Sequence, residues 1–179
     1  GATSIGSDEK KKSVAKKIKE EKNNGNYIVY VVSSMTGETN TLLKLAKDID
    51  IDATGRELDT LVSTGEQVTT SLLTLSLISK GHKAISLTGS QAGIFTDSSF
   101  NKARIESINN TVIDNYLKEG NIVVVAGFQG VNEKGDITTL GRGGSDTSAV
   151  AISVALDAKE CQIFTDVDCV YTTDPRISK

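Results

Sequence analysis

Short, unbroken runs of β-branched residues alternate along this chain with segments of helical period, and that alternation leaves few folds open. Tyr27 to Val32, Lys83 to Leu87, Ile122 to Ala126 and Cys161 to Thr165 read as strands. Their continuous apolar character is what burial on both faces of a sheet demands. Asp8 to Lys22 carries sparse apolar positions, Val14, Ala15 and Ile18, on a lysine-rich background, as in an exposed helix with one narrow buried stripe. Asn40 is placed to cap a helix through Leu42, Leu43 and Leu45. Glu57 to Lys80 is the longest helical segment, with a broad apolar face that includes Leu61, Val62, Val68 and Leu72, and a stop at Gly81. Phe100 to Leu117 shows near-helical spacing, and Ala149 to Ala158 is an alanine-rich helix opened by Ser145 and Asp146. The order predicts an α/β fold, a mainly parallel sheet sandwiched between helices.

In such a fold, ligands bind at the loops that follow the carboxyl ends of the strands. Ser33 to Thr39, Thr88 to Gly93, Gly127 to Gly130 and Thr165 to Arg176 all fall there. The strongest chemical signal is Leu140-Gly141-Arg142-Gly143-Gly144-Ser145-Asp146. Its glycines free the backbone to lay N–H groups against an anion at a helix amino terminus, and Arg142 adds a planar fork for a carboxylate or phosphate. The plainer alternative is a glycine-rich turn before a capped helix.

Composition narrows the classes further. A chain of 179 residues is long enough for one domain with a real core. A formal net charge of -3 gives no general attraction to nucleic acid or to an anionic membrane. No apolar run approaches the roughly 20 residues a bilayer span needs, and no signal peptide is visible, so the cytoplasm is the expected compartment. Cys161 and Cys169 are too few for a disulfide framework or a zinc site and read as buried free thiols. His82, the single histidine, follows Gly81 and reads as a surface residue. Neither a Gly-x-x-x-x-Gly-Lys-Ser/Thr loop nor a Gly-x-Gly-x-x-Gly turn after a strand is present. What remains is hydroxyls, glycines, arginines and carboxylates, an inventory suited to phosphoryl transfer, where positioning and charge neutralisation dominate.

At this level of detail the chain resembles the aspartokinases of the amino acid kinase family over essentially its whole length. The matching stretches are Gly1 to Ser4, Ser33 to Asn40, Arg56 to Asp59, Leu61 to Glu66, Gly89 to Gly93, Thr138 to Asp146 and Phe164 to Arg176. The resemblance implies transfer of the γ-phosphoryl of ATP to the side-chain carboxylate of L-aspartate, the first step toward lysine, threonine and methionine. It implies an aspartate site of Ser33, Thr39, Glu66, Phe128, Arg142, Gly143, Gly144 and Ser145, with Asp146 orienting catalytic lysines. Gly1, Ala2, Thr3 and Ser4 match the phosphate-side loop; Thr165, Asp166, Tyr171 and Arg176 match nucleotide contacts. Mg²⁺ is expected on the ATP phosphates instead of in a protein cage, and a homo-oligomer is expected of the full-length protein.

Two departures qualify the match. Ala2 stands where the family's opening motif, Lys-aromatic-Gly-Gly-Thr-Ser, has its second glycine, and the chain starts after that motif's lysine and aromatic residue. It stops at Lys179, before the family's second nucleotide-side lysine and its ACT regulatory domains. Residues 1–179 are therefore expected to be part of a kinase domain, incomplete at both ends and weak in transfer by themselves. Two other readings stand beside this one: a kinase of acetylglutamate, glutamate or a nucleoside monophosphate, and a non-catalytic binding segment.

Overall fold

The computed structural model describes Ile18, Glu21 and residues 24–164. Strand β1 (Val29–Val32) is followed by helices α1 (Glu38–Ile49) and α2 (Arg56–Ser79), then by β2 (Ala84–Leu87), β3 (Ile94–Thr96) and β4 (Ile105–Ile108). Helix α3 (Thr111–Lys118) precedes β5 (Ile122–Ala126), β6 (Gln129–Val131), β7 (Ile137–Thr139) and helix α4 (Gly144–Ala155).

The first sheet has the order β1-β5-β2, all parallel. β5 is central, and none of its five residues is exposed to solvent. Its side chains alternate between two cores, as a period of two requires. Val123 and Val125 meet Ile113 and Leu117 of α3 and Ile152 of α4. Ile122 and Val124 meet Leu77 of α2 and Ile18. Helices thus cover both faces, as the sequence predicts, and Ile18 takes the buried position expected of it.

A second, mixed sheet of order β4-β3-β6-β7 stands beside the first and was not anticipated. Its strands are three or four residues long and its interior is partly polar. The Thr96 and Thr138 hydroxyls pair at 2.5 Å, and Gln129 Nε2 donates to Ser63 O at 2.9 Å. Such short strands carry no hydrophobic alternation for a sequence reading to find.

Four sequence expectations need correction. Phe100 to Leu117 is not one helix: β4 pairs antiparallel with β3, and only Thr111–Lys118 is helical. Ile105 and Ile108 pack on the same core as Ile113 and Leu117, so two elements share one apolar spacing. Helix α1 begins after Gly37 at φ 83°, leaving Asn40 inside its first turns instead of at the cap. Cys161 to Phe164 form no strand, and Cys161 is exposed; a short apolar run says nothing about a pairing partner. Cys169 lies outside the described residues.

The fourth correction concerns α2. Its buried face is mostly polar, with Asp59, Ser63, Glu66, Thr69, Thr70 and Thr74, while Val68, Leu72, Leu75 and Ile78 are exposed. The hydroxyls of Thr69, Thr70 and Thr74 donate to the carbonyls four residues earlier, which satisfies them without partners across the fold.

Candidate active site

The carboxyl ends of β1 and β5 lie side by side. Val32 pairs with Ala126, and the Gly127 N–H donates to Val32 O at 2.9 Å. The chain therefore leaves the sheet at two neighbouring points, Ser33–Ser34 and Gly127–Phe128.

The amino end of α4 closes on the second point. A β-carbon on Gly127 would stand 3.0 Å from Ser145 Cβ, and one on Gly144 would stand 2.8 Å from Phe128 Cδ2. A side chain at 144 would force its neighbours to shift, and one at 127 would need Ser145 to give by a few tenths of an ångström. Phe128 sits at φ 64°, a conformation that costs a non-glycine residue about 1–3 kcal/mol and persists only where its surroundings impose it. Both of its main-chain groups are held: its N–H donates to Ser148 Oγ at 3.1 Å, and its carbonyl accepts the Leu140 N–H at 2.8 Å.

Gly143, at φ 76°, is the N-cap of α4, and no side chain caps that end. The first-turn N–H groups of Gly144, Ser145 and Asp146 have no intrahelical acceptor, and the helix dipole adds positive character. Arg142 and Asp146 are exposed here and border an open groove of about 710 Å³ with Arg104 and Thr147. The combination suits an anionic group at the helix end.

Glu66 approaches from the other side. It is 2% exposed; Oε1 accepts the Ser34 N–H at 3.0 Å, and Oε2 is buried without a hydrogen-bond partner among the described residues. Burial pushes its carboxyl above the usual carboxylate range, opposed by hydrogen bonds from the Ser34 N–H, its own N–H and the Ser34 hydroxyl. A buried, half-satisfied carboxylate demands an explanation, and a cationic ligand supplies one. Thr39, in the first turn of α1, lies with Oγ1 2.7 Å from Ser34 Oγ.

The fold thus brings Ser33, Thr39, Glu66, Phe128, Gly143, Gly144 and Ser145 to one edge, with Arg142 and Asp146 exposed at the adjoining helix end. Gly1, Ala2, Thr3, Ser4, Thr165, Asp166, Tyr171 and Arg176 lie outside the described residues. Sequence reasoning gave no role to Ser34, Ser148 or Asp59, although Ser34 and Asp59 lie in the stretches that match the family. Asp59 is fully buried and accepts the Asn101 N–H, the Asn101 side-chain amide, and the Thr139 N–H and hydroxyl, the last two at 2.7 Å each. It ties α2 to the end of β7, which leads into the Arg142 loop. Its spacing of seven from Glu66, two turns along one face, was the available signal.

The sequence profile of the amino acid kinase family matches residues 1–179. The chain belongs to the amino acid kinase family. Among its relatives, the aspartate kinase of Pseudomonas putida is 59% identical over 177 residues, 99% of this chain and 43% of that protein. The aspartokinase of Bacillus sp. (strain MGA3) is 56% identical over 179 residues, all of this chain and 44% of that protein. This amino acid kinase chain therefore spans less than half the length of these curated relatives. Among solved structures, Synechocystis aspartate kinase superposes with a TM-score of 0.77 at 46% identity, covering 98% of this chain and 28% of that one. E. coli aspartokinase III, in complex with aspartate and ADP, gives a TM-score of 0.80 at 26% identity, over 98% of this chain and 50% of that one.

Proposed function

We propose that the protein carrying this chain transfers the γ-phosphoryl of ATP to the side-chain carboxylate of L-aspartate, giving 4-phospho-L-aspartate. The observation that carries the reading is Glu66, a buried carboxylate with one oxygen held by Ser34 and the other without a hydrogen-bond partner among the described residues, at the same sheet edge as the uncapped helix end that Arg142 precedes. An amino acid presents an ammonium and a carboxylate a few ångströms apart, and this edge offers a partner for each.

In this reading Glu66 pairs with the substrate ammonium and Arg142 grips a carboxylate with its fork, aided by the N–H groups of Gly144 and Ser145. Gly143 gives the loop its turn into the helix, while Ser33, Thr39 and Phe128 border the acceptor. Asp146 orients the cationic groups that meet the moving phosphoryl. The family resemblance assigns Gly1, Ala2, Thr3 and Ser4 to the phosphate side and Thr165, Asp166, Tyr171 and Arg176 to the nucleotide. Mg²⁺ bound to the ATP phosphates would supply charge neutralisation there. The described residues offer the donors this arrangement needs, the first-turn N–H groups of the uncapped helix end and the exposed Arg142 guanidinium. The same reading places the protein in the cytoplasm as a homo-oligomer.

The test is Arg142→Ala in the protein at its full natural length. A charge-assisted hydrogen bond lost from the acceptor lowers kcat/KM for aspartate by about tenfold or more, with the ATP KM unmoved. A change confined to the ATP dependence would show that the loop serves the nucleotide instead.

A further inference from the structure

Ser34 is the residue through which the β1 loop, α1 and α2 meet. Its N–H donates to Glu66 Oε1 at 3.0 Å, and its hydroxyl lies 2.7 Å from Thr39 Oγ1. It reaches both because α2 has no side chain at the point of closest approach. A β-carbon on Gly65 would stand 3.0 Å from Ser34 Cβ, 3.4 Å from Glu38 Cγ and 3.5 Å from Leu42 Cδ1. The first of these distances is tighter than ordinary carbon packing, so even an alanine at 65 requires Ser34 to give way by a few tenths of an ångström.

We propose that Ser34 and Gly65 form a positioning pair for the acceptor site: Gly65 admits Ser34 against α2, and Ser34 then fixes Glu66 and Thr39 relative to each other. This rests on the functional reading above and deepens it, since neither residue is assigned a contact with substrate. The N–H of Ser34 holds one oxygen of Glu66 and so fixes where the other, buried and without a partner among the described residues, lies. The Ser34 hydroxyl sets the Thr39 side chain and also counteracts the effect of burial on the Glu66 carboxyl. A backbone N–H survives any substitution at 34 except proline, so the hydroxyl and the packing distance are separable by mutation.

The experiment compares Ser34→Ala, Gly65→Ala and the double variant Gly65→Ala with Ser34→Gly, in the protein at its full natural length. Steady-state KM and kcat are read for aspartate and for ATP separately. Ser34→Ala keeps the N–H and the β-carbon and removes one hydrogen bond, so the aspartate KM rises about two- to tenfold while the ATP KM and kcat hold. Gly65→Ala raises the aspartate KM further, because the loop shifts as a whole. In the double variant Ser34 no longer has the β-carbon that the new methyl group meets, and the aspartate KM returns to that of Ser34→Ala or below.

An unchanged aspartate KM in Ser34→Ala overturns the inference. So does an equal rise for both substrates, or a double variant no better than Gly65→Ala. Wild-type protein that turns over ATP without any dependence on aspartate overturns the functional reading and this inference with it. Wild-type activity with an unmoved Ser34→Ala overturns the inference alone.

Discussion

Asp59 is the buried group on which the placement of the Arg142 loop most depends, and replacing it has a cost that follows from its partners. The carboxylate accepts from the Asn101 N–H, from the Asn101 side-chain amide, and from both the N–H and the hydroxyl of Thr139. In Asp59→Ala all four donors lose their acceptor. The Asn101 donors sit in a half-buried loop and can turn to water, whereas Thr139 is 1% exposed. Two buried donors left unsatisfied, at about 1–3 kcal/mol each, set a range of about 2–6 kcal/mol. A water entering the vacated space recovers part of it, so about 3–4 kcal/mol is expected. With a urea m-value of about 2 kcal/mol/M, the unfolding midpoint drops by about 1.5–2 M. Asp59→Asn keeps the volume but turns one acceptor into a donor facing other donors, and falls between wild type and Asp59→Ala. A midpoint shift below about 0.5 M for Asp59→Ala, less than about 1 kcal/mol, would refute the reasoning and mean that Thr139 finds other partners.

Two further substitutions test other parts of the site. Glu66→Gln removes the charge of the proposed ammonium partner, and on that reading lowers kcat/KM for aspartate by about tenfold or more. It also stabilises the protein at neutral pH, because burial raises the folded carboxyl above its unfolded value and the ionised form is the costly one. As pH falls through that raised value the native state takes up the proton, wild type gains stability, and its deficit against Glu66→Gln closes; thermal melts across pH 4–8 check this, and a deficit that widens toward acid contradicts it. Gly144→Ala puts a methyl group 2.8 Å from both Leu140 Cβ and Phe128 Cδ2, neither of which can move freely. The overpacking destabilises by about 1–3 kcal/mol in urea unfolding and raises the aspartate KM; a variant as stable as wild type would show that the helix end is not seated on Phe128.

Where one physical requirement wrote the residues, the fold could be read from them. The strand Ile122–Ala126 is apolar throughout because both of its faces are covered, and its neighbours pair with it in parallel as the alternation demands. The loops at its carboxyl edge hold the glycines, hydroxyls and arginine that the sequence marks out. Reading failed where two requirements overlapped. Ile105 and Ile108 serve a strand but share a core with Ile113 and Leu117, so their spacing imitates one long helix. In the second sheet Thr96 pairs with Thr138 and Gln129 ties the sheet to Ser63 of α2, hydrogen bonds that leave no periodic trace.

Helix α2 shows why the site was only half legible. Its leucines and valines suggest an apolar face turned inward, yet the inward face carries Asp59, Ser63, Glu66 and three threonines, with Val68, Leu72 and Leu75 outside. A hydroxyl that donates to its own helix can be buried at little cost, so threonine lines a protein interior without announcing it. A carboxylate cannot: each must find donors or a ligand. Asp59 and Glu66 sit two turns apart on that face, and the fold treats them differently. Asp59 has its oxygens filled by Asn101 and Thr139, which makes it a fastening. Glu66 keeps one oxygen without a partner among the described residues, beside a glycine that lets Ser34 in, as the binding role proposed for it requires. The sequence contains both acids and their spacing, but the difference between them lies in partners 42 and 80 residues away in one case and 32 in the other. Only the folded chain brings those partners together, so the division between an acid with its donors in place and one left half-satisfied is a property of topology and not of the helix that carries both.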